Sequence, residues 1–210
     1  MWKKIICFIL VVIGMVNVMI VDAEELKVSE WALEYYNYSL ENKLLPKDMI
    51  DYDFTQYINR EQFCDLVYTT LLNFAFEEKN EYEGTNVFTD TNSQSILSLY
   101  EKGIIYGKSH DKFCPDDNLT REEAAVIMYR ARNYYSKDER EPMNVVFYYD
   151  EEKISDWARK AVFRLKEWGW MTGISREVFS PQQNISAEEA MKINTYMCKF
   201  LFKYNLEPDN

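Results

Sequence analysis

The chain has 210 residues, with 24 Lys and Arg against 35 Asp and Glu, one His and a formal net charge of −11. This balance excludes a protein that binds nucleic acid through a broad basic surface, because neutralising phosphates needs a surplus of Lys and Arg. Apolar residues make up 47% of the chain and aromatic residues 16%, so a hydrophobic core is expected rather than a disordered acidic segment. With His110 as the only histidine, we expect neither a metal site nor a cofactor.

The first 23 residues differ from the rest of the chain. Lys3 and Lys4 precede an apolar run over residues 5–21, and residues 21–23 resemble a cleavage site. This pattern predicts a signal peptide over 1–23 and a secreted protein with no membrane attachment after cleavage; an uncleaved membrane anchor is the alternative. The remaining cysteines are odd in number, which favours buried free thiols, although one disulfide and one free thiol would also fit: Cys64, Cys114 and Cys198.

Three segments resemble one another, and each begins an amphipathic helix. They read INREQF, LTREEA and ISAEEA and start at residues 58, 119 and 185. Apolar residues follow at three- and four-residue spacing, which predicts one apolar stripe on each helix. Each segment also places a polar N-cap residue three positions before Gln or Glu, the capping-box pattern, in the pairs Asn59 and Gln62, Thr120 and Glu123, Ser186 and Glu189.

A second helix is predicted about 30 residues before each cap, with Ser29 and Ser155 as candidate N-caps of the first and third of these helices. The loops GIIYGKSHDKFCPDDN and GWMTGISREVFSPQQN share Gly-x-x-x-Gly, then a Phe, then a Pro two residues later. Polar linkers at 79–86 and 136–144 separate the units. The pattern predicts an all-α fold of three helix-loop-helix repeats that bury their apolar faces together.

Two of these units resemble the S-layer homology repeat. The run VFTD, GIIYG, F-x-P and LTREEAAVIMYR is similar to one copy, and ISDWARKAV, GWMTG and VFSPQQNISAEEA resemble another. The stretch WALEYYNYSLENKLLPKD followed by INREQF looks like a divergent first copy that lacks Gly-x-x-x-Gly and F-x-P. The boundaries are therefore predicted as repeat 1 at 24–84, repeat 2 at 85–143 and repeat 3 at 144–210. The resemblance implies a pseudo-threefold bundle with one central helix from each repeat and grooves between neighbouring repeats.

The resemblance also implies a function and its residues. It implies non-covalent binding to a secondary cell-wall polysaccharide, often pyruvylated and attached to peptidoglycan, in a Gram-positive-type wall. By position, Arg60 and Arg121 would contact the anionic sugar, whereas repeat 3 has Ala187 there. An Arg beside a helix N-terminus is electrostatically unfavourable, and a guanidinium near free N–H groups suits a carboxylate. The alternative is an Arg paired with a nearby acid such as Glu61 or Asp65.

Other candidate residues are less specific. Trp31 and Trp157 can stack on sugar rings or anchor the core, and the core interpretation is favoured. Asp90 and Asp150 can contact sugar hydroxyls or begin a helix, and the helix role is favoured. Gly107 and Lys108 lie in the loop that the family brings near a neighbouring Arg.

We expect no enzymatic activity. Paired acids such as Glu188 and Glu189 suggest glycosidase carboxylates, but helix capping already accounts for them. The sequence therefore predicts a non-catalytic cell-wall-binding protein at the cell surface. The alternative is a structural or protein-interaction module with the same fold that has lost glycan binding, its partner unknown.

Overall fold

The computed structural model describes residues 27–74, 82, 84–138, 140–143 and 148–204. The predicted signal peptide lies outside these residues, as do parts of both predicted linkers. The described residues form six α-helices: α1 Leu33–Glu41, α2 Arg60–Phe74, α3 Gln94–Glu101, α4 Arg121–Ser136, α5 Asp156–Glu167 and α6 Ala187–Tyr204. Short 3-10 helices cover Glu30–Ala32, Lys47–Met49 and Glu151–Lys153. Pairing of extended segments in this part of the chain is limited to isolated bridges, so the all-α class is confirmed.

The helices pack between repeats. Helix α3 packs on α2, α5 packs on α4, and α1 packs on α6, so the first helix of each predicted repeat lies against the second helix of another. The second helices α2, α4 and α6 also contact one another and form the centre. A single repeat thus lacks its packing partner, which is the physical reason that the three segments must fold together.

A closed ring of backbone hydrogen bonds joins the segments that precede the central helices. The N–H of Ile58 donates to the carbonyl of Ile185 at 3.2 Å, that of Leu119 to Ile58 at 3.1 Å, and that of Ile185 to Leu119 at 2.9 Å. All three side chains are fully buried. Each segment therefore bonds to both others through equivalent atoms, as a pseudo-threefold body requires; the symmetry of the whole body stays a prediction.

The predicted capping boxes are present at all three central helices. The N-cap side chain accepts the third-residue N–H, and that residue's side chain accepts the N-cap N–H, at α2, α4 and α6. Ser29 and Ser155 stand before their helices as predicted, but neither side chain caps its helix. Their backbone N–H groups donate instead to Glu188 and Glu122, the second residues of α6 and α4.

The cysteines of the described region are free thiols. Cys64 and Cys198 are fully buried, and burial raises the pKa of both thiols. Cys114 is partly exposed. We find no helix in the described ranges with the length and apolar character needed to cross a bilayer.

Candidate functional site

Arg121, the first residue of α4, fixes the loop that connects α5 to α6. Its Nε donates to the carbonyl of Phe179 at 2.9 Å, and its Nη2 donates to the carbonyl of Thr172 at 2.7 Å. Its Nη1 pairs with Glu189, and the guanidinium lies 5.1 Å from the centre of the Phe179 ring. The residue is only 1% exposed. Arg121 therefore clamps repeat 3 to the start of the repeat 2 helix.

Arg60 makes the equivalent contacts at the start of α2. Its Nε donates to the carbonyl of Phe113 at 3.0 Å, its Nη2 to Tyr106 at 3.2 Å and its Nη1 to Glu123 at 3.4 Å. The guanidinium lies 4.4 Å from the centre of the Phe113 ring, and the residue is 5% exposed. Pairing with an acid therefore does occur at both arginines, but the partner is the capping-box Glu of the next repeat.

The first-turn N–H groups of these helices are occupied, which corrects the expectation that they are free to bind an anion. In each case they donate to carbonyls of the loop between the two helices of another predicted repeat, because that loop lies over the helix N-terminus. The pairs are Arg60 with Asp117, Glu61 with Pro115, Arg121 with Gln183, Glu122 with Pro181, Ala187 with Gln56 and Glu188 with Phe54. An anion at this place would therefore be bound by side chains.

The arginine guanidinium groups keep some donor capacity. We call each contact between the start of a central helix and the loop of another predicted repeat a junction. A guanidinium has five N–H donors, and three of them bond to described residues at the junctions of Arg60 and Arg121. One further N–H remains on each of Nη1 and Nη2. Where these edges face an opening, a carboxylate has two donors in a fork geometry.

Such an opening lies beside Arg121. A groove of about 520 Å³ has among its lining residues Trp31, Arg121, Gln183, Asn184, Glu188, Glu189 and Lys192. We call it the Arg121 groove. It combines an indole face, two cations and two side-chain amides, although its cations and acids balance. Glu189 is committed to Arg121, and Glu188 to the N–H of Ser29.

Both candidate tryptophans are exposed, so the core interpretation is wrong. Trp31 is 49% exposed and Trp157 58% exposed. Trp31 lies two residues after Ser29, which bonds to Glu188 in the first turn of α6. In the same way, Trp157 lies two residues after Ser155, which bonds to Glu122 in the first turn of α4. Arg60 binds the next residue of that turn, Glu123, so Trp157 is related to Arg60 as Trp31 is to Arg121.

Asp90 and Asp150 hold the loops to which the arginines bind. Asp90 accepts from the N–H groups of Phe113 and Cys114, and Asp150 accepts from those of Phe179 and Ser180, at 2.8 to 3.0 Å. Burial acts to raise the pKa of Asp90, but these loop N–H bonds outweigh it and the pKa is lowered. The helix-starting role is wrong for Asp90, because Ser93 is the N-cap of α3. Asp150 precedes the 3-10 helix at Glu151–Lys153, without a capping bond from its side chain.

Gly107 and Lys108 directly follow Tyr106, whose carbonyl accepts from Arg60. A Cβ at Gly107 would stand 2.6 Å from the carbonyl oxygens of Ser109 and Lys112, so the tight turn excludes a side chain there. The Nζ of Lys108 donates to Asp117 at 2.6 Å. This hydrogen bond, together with the charges of Lys108 and Arg60, lowers the pKa of Asp117.

Sequence reasoning missed the second role of Glu123 and Glu189, which cap a helix and pair with an arginine of the preceding repeat. It also missed Lys192, which enters the Arg121 groove from the second turn of α6. The sequence does contain one usable signal: a Glu is the second residue of all three central helices. In α6 and α4 this Glu accepts a hydrogen bond from the N–H of Ser29 and Ser155. Within the described ranges, no group of three or more His, Cys, Asp or Glu side chains is arranged to hold a metal ion.

The comparisons with known proteins define the class. Residues 89–125 match the family model of the S-layer homology domain. This range includes Asp90, the α3–α4 loop that Arg60 holds, and Arg121. The chain therefore contains an S-layer homology domain, which confirms the family resemblance, whereas the presence of three tandem repeats stays a prediction.

Two of the matching relatives have enzyme names, and a third is a surface-layer protein. The chain is 31% identical over 147 residues to an amylopullulanase of Thermoanaerobacterium thermosulfurigenes, a match that covers 68% of this chain and 8% of the relative. It is 32% identical over 100 residues to an endoglucanase of Bacillus sp. (strain KSM-635), covering 48% and 11%. It is 27% identical over 100 residues to the surface-layer 125 kDa protein of Lysinibacillus sphaericus, covering 48% and 8%. The chain thus matches only about a tenth of the length of these relatives.

Proposed function

We propose that this chain is a secreted, non-catalytic protein that attaches to the cell wall by binding an anionic secondary polysaccharide, such as a pyruvylated one. Its binding sites are the Arg121 groove and the equivalent junction at Arg60. The S-layer homology domain and the surface-layer relative support a role at the cell surface. The matched share of the polysaccharide-degrading relatives is too small to carry their activities to this chain.

The chemistry of the Arg121 groove is the observation that carries this proposal. The half-exposed indole of Trp31 offers a flat face to a sugar ring, and Arg121 and Lys192 offer donors to a carboxylate on that ring. The groove is formally neutral within a chain of charge −11, so recognition of an anion there is local. The proposal includes the predicted boundaries of three repeats and the signal peptide at 1–23.

A second candidate function is a structural or protein-interaction module that does not bind glycan. Its support is the burial of Arg60 and Arg121, since their bonds to loop carbonyls are sufficient reason for both residues. Ala187 supports it further, because the third junction has no guanidinium.

Binding to purified wall sacculi distinguishes the two functions. The protein without residues 1–23 is incubated with intact sacculi and with sacculi stripped of their secondary polysaccharide. The proposal expects retention on intact walls only. Equal retention on both preparations would rule out the polysaccharide and favour the second function.

A variant test then assigns the grooves. Trp31→Ala combined with Trp157→Ala removes two exposed rings with little effect on the core, and we expect about tenfold weaker binding, or roughly 1.4 kcal/mol. Phe202→Ala is the matched control, because Phe202 is an exposed aromatic at the far end of α6. Circular dichroism checks the fold of each variant. A double variant that binds as tightly as the control would refute this placement of the site.

Salt provides an independent check. A protein that binds through a broad basic surface loses affinity steeply as salt rises, because its charges are screened. Here the groove is neutral and the surroundings are acidic, so we expect retention to change less than about threefold up to about 0.5 M salt. A steep loss would contradict local recognition.

A further inference from the structure

A row of aromatic and lysine side chains runs along the seam between α1 and α6, starting at the edge of the Arg121 groove. On each helix its members are three or four residues apart, so they share one face. We call this row the ladder; it consists of Trp31, Tyr35 and Tyr38 from the α1 side, and Lys192, Tyr196 and Lys199 from α6. Seven residues of helix carry it about 10 Å away from the groove.

The ladder is held together by ring contacts. The Tyr35 ring packs edge-on against Trp31 at 6.4 Å and against Tyr196 at 6.0 Å, measured between ring centres. The ammonium of Lys192 lies 6.0 and 5.9 Å from the centres of the Trp31 and Tyr35 rings, and that of Lys199 lies 4.8 Å from Tyr38. These contacts fix the rings in place before any ligand binds.

The surface of the ladder is accessible. Trp31 and Lys199 are exposed, and the four other members are partly exposed. The charged members of the ladder are Lys192 and Lys199; Glu34 lies beside Tyr35, and Glu188 and Glu189 line the groove that the ladder shares through Trp31 and Lys192. The ladder's own side chains are therefore cationic, on a chain whose net charge is −11.

The equivalent seams of the molecule lack this arrangement. Where α1 and α6 present Trp31 and Lys192, the seam of α5 and α4 presents Trp157 and Val126, and the seam of α3 and α2 presents Ser95 and Asp65. One helical turn further along, the positions of Tyr35 and Tyr196 hold Ala161 and Arg130 in the seam of α5 and α4. In the seam of α3 and α2 they hold Leu99 and Thr69. Tyr35 and Tyr196 also pack against the core, but the other two helix pairs pack without such a row of rings and lysines.

We propose that the ladder is a second binding surface, which takes the part of an anionic polysaccharide chain that continues out of the Arg121 groove. The inference rests on the proposed function, because the groove would hold the first sugar and the ladder the following ones. Trp31 and Lys192 belong to both surfaces, which makes them continuous.

The ladder's chemistry suits this ligand. Flat rings pack against pyranose faces, and ammonium groups pair with the ligand's acidic groups. Burial, and then the hydrogen bonds of Tyr35 with Tyr196 and of Tyr38 with Cys198, raise the pKa of both Tyr35 and Tyr38. Their hydroxyls therefore stay protonated at neutral pH.

The test compares polysaccharide fragments of different length. Polysaccharide is released from the sacculi and fractionated by size, and affinities for the shortest and the longest fractions are measured by calorimetry. We expect Lys199→Glu, alone and with Tyr196→Leu, to weaken binding of the longest fraction about tenfold and of the shortest fraction less than twofold. Lys47→Glu is the control, because it makes the same charge change at an exposed site away from the seam.

The outcomes separate the ladder from the groove. If Lys199→Glu changes both fractions equally, or neither, the ladder is not a polysaccharide surface, although binding of both fractions by the unchanged protein would still support the groove. If no fraction binds the unchanged protein, the proposed function and the ladder fail together. Ultracentrifugation completes the test, because a dimer that Lys199→Glu dissociates would make the ladder a protein interface and overturn the proposal.

Discussion

The loop of repeat 1 and the loops of repeats 2 and 3 meet the central helices through the same backbone bonds but through different side chains. The N–H of Ala187 bonds to Gln56 as that of Arg121 bonds to Gln183. At this third junction, however, three residues of the other two are replaced together: Ala187 stands for Arg, Gln62 for Glu and Ser95 for Trp. The backbone bonds alone thus suffice to join one loop to a helix. The clamp and the tryptophan are additions at two of the three places.

Removing the clamp should have the largest effect on stability. Arg121→Met leaves two carbonyls and Glu189 without their charged partner, and we expect a loss of about 3 kcal/mol in the free energy of unfolding. Arg60→Met should cost about 2 kcal/mol, since its bonds to Tyr106 and Glu123 are longer. Urea unfolding followed by circular dichroism measures both.

The third junction supplies the control for this prediction. Gln62→Glu restores the acid where no arginine faces it, and stability should change by less than about 0.5 kcal/mol. If Arg121→Met were equally neutral, its bonds would not stabilise the loop, and ligand binding alone would account for the arginine.

The tight turn of the loops predicts the next largest effect. A Cβ at Gly173 would stand 2.2 Å from the carbonyl oxygen of Val178 and 2.5 Å from that of Ser175, so Gly173→Ala must displace backbone. We expect a loss of about 2 to 3 kcal/mol, and a comparable loss for Gly107→Ala. Thermal unfolding measures it.

Repeat 1 again provides the control. Its loop forms a 3-10 helix at Lys47–Met49 in place of this turn, and Lys47 is exposed, so Lys47→Ala should change stability by less than about 0.5 kcal/mol. A tolerated Gly173→Ala would mean that the two kinds of loop turn alike.

The sequence predicted much of this scaffold and little of the junctions' side-chain geometry. Capping boxes and helix stripes depend on residues a few positions apart, so the starts of α2, α4 and α6 were predicted correctly. The clamp joins Arg121 to residues 51 and 58 positions away, and no local pattern specifies those partners. Trp31 was misassigned for the same reason. Its place on an amphipathic helix indicated burial, but it lies at the edge of the seam with α6, half in solvent.

A partly buried acid in repeat 1, Asp65, predicts a pH dependence of intermediate size. Asp65 lies on α2 where α4 has Val126, and it accepts a hydrogen bond from Ser95 of α3. Burial raises the pKa of Asp65 to about 6, although the bond to Ser95 acts to lower it. In the unfolded chain the carboxyl titrates near its ordinary value, so folding is favoured less as the pH rises from about 4 to about 6.

Asp65→Asn should therefore stabilise the protein at pH 7 by about 1 to 2 kcal/mol and have little effect at pH 4. Urea unfolding at pH 4, 5, 6 and 7 checks this. Glu101→Gln, which changes an exposed acid of α3, is the control, and we expect it to cause no comparable change across the pH range. An equal gain at every pH would show that the effect is not due to titration of Asp65.

The smallest predicted effect concerns the residue that ends α1. Gly103 and Gly169 end the corresponding turns with φ of 67° and 72°, whereas repeat 1 has Lys43 there with φ of 55°. A side chain in this left-handed region costs about 1 kcal/mol or more, and glycine removes that cost. Part of the gain is offset, because glycine loses more conformational entropy on folding. Lys43→Gly should therefore stabilise the protein by about 0.5 kcal/mol, measured by thermal unfolding. Lys47→Gly is the control, because Lys47 has no positive φ, and it should destabilise the protein by a similar amount. If both variants were destabilised, Lys43 would not be strained, and the lysine in repeat 1 would have no conformational cost.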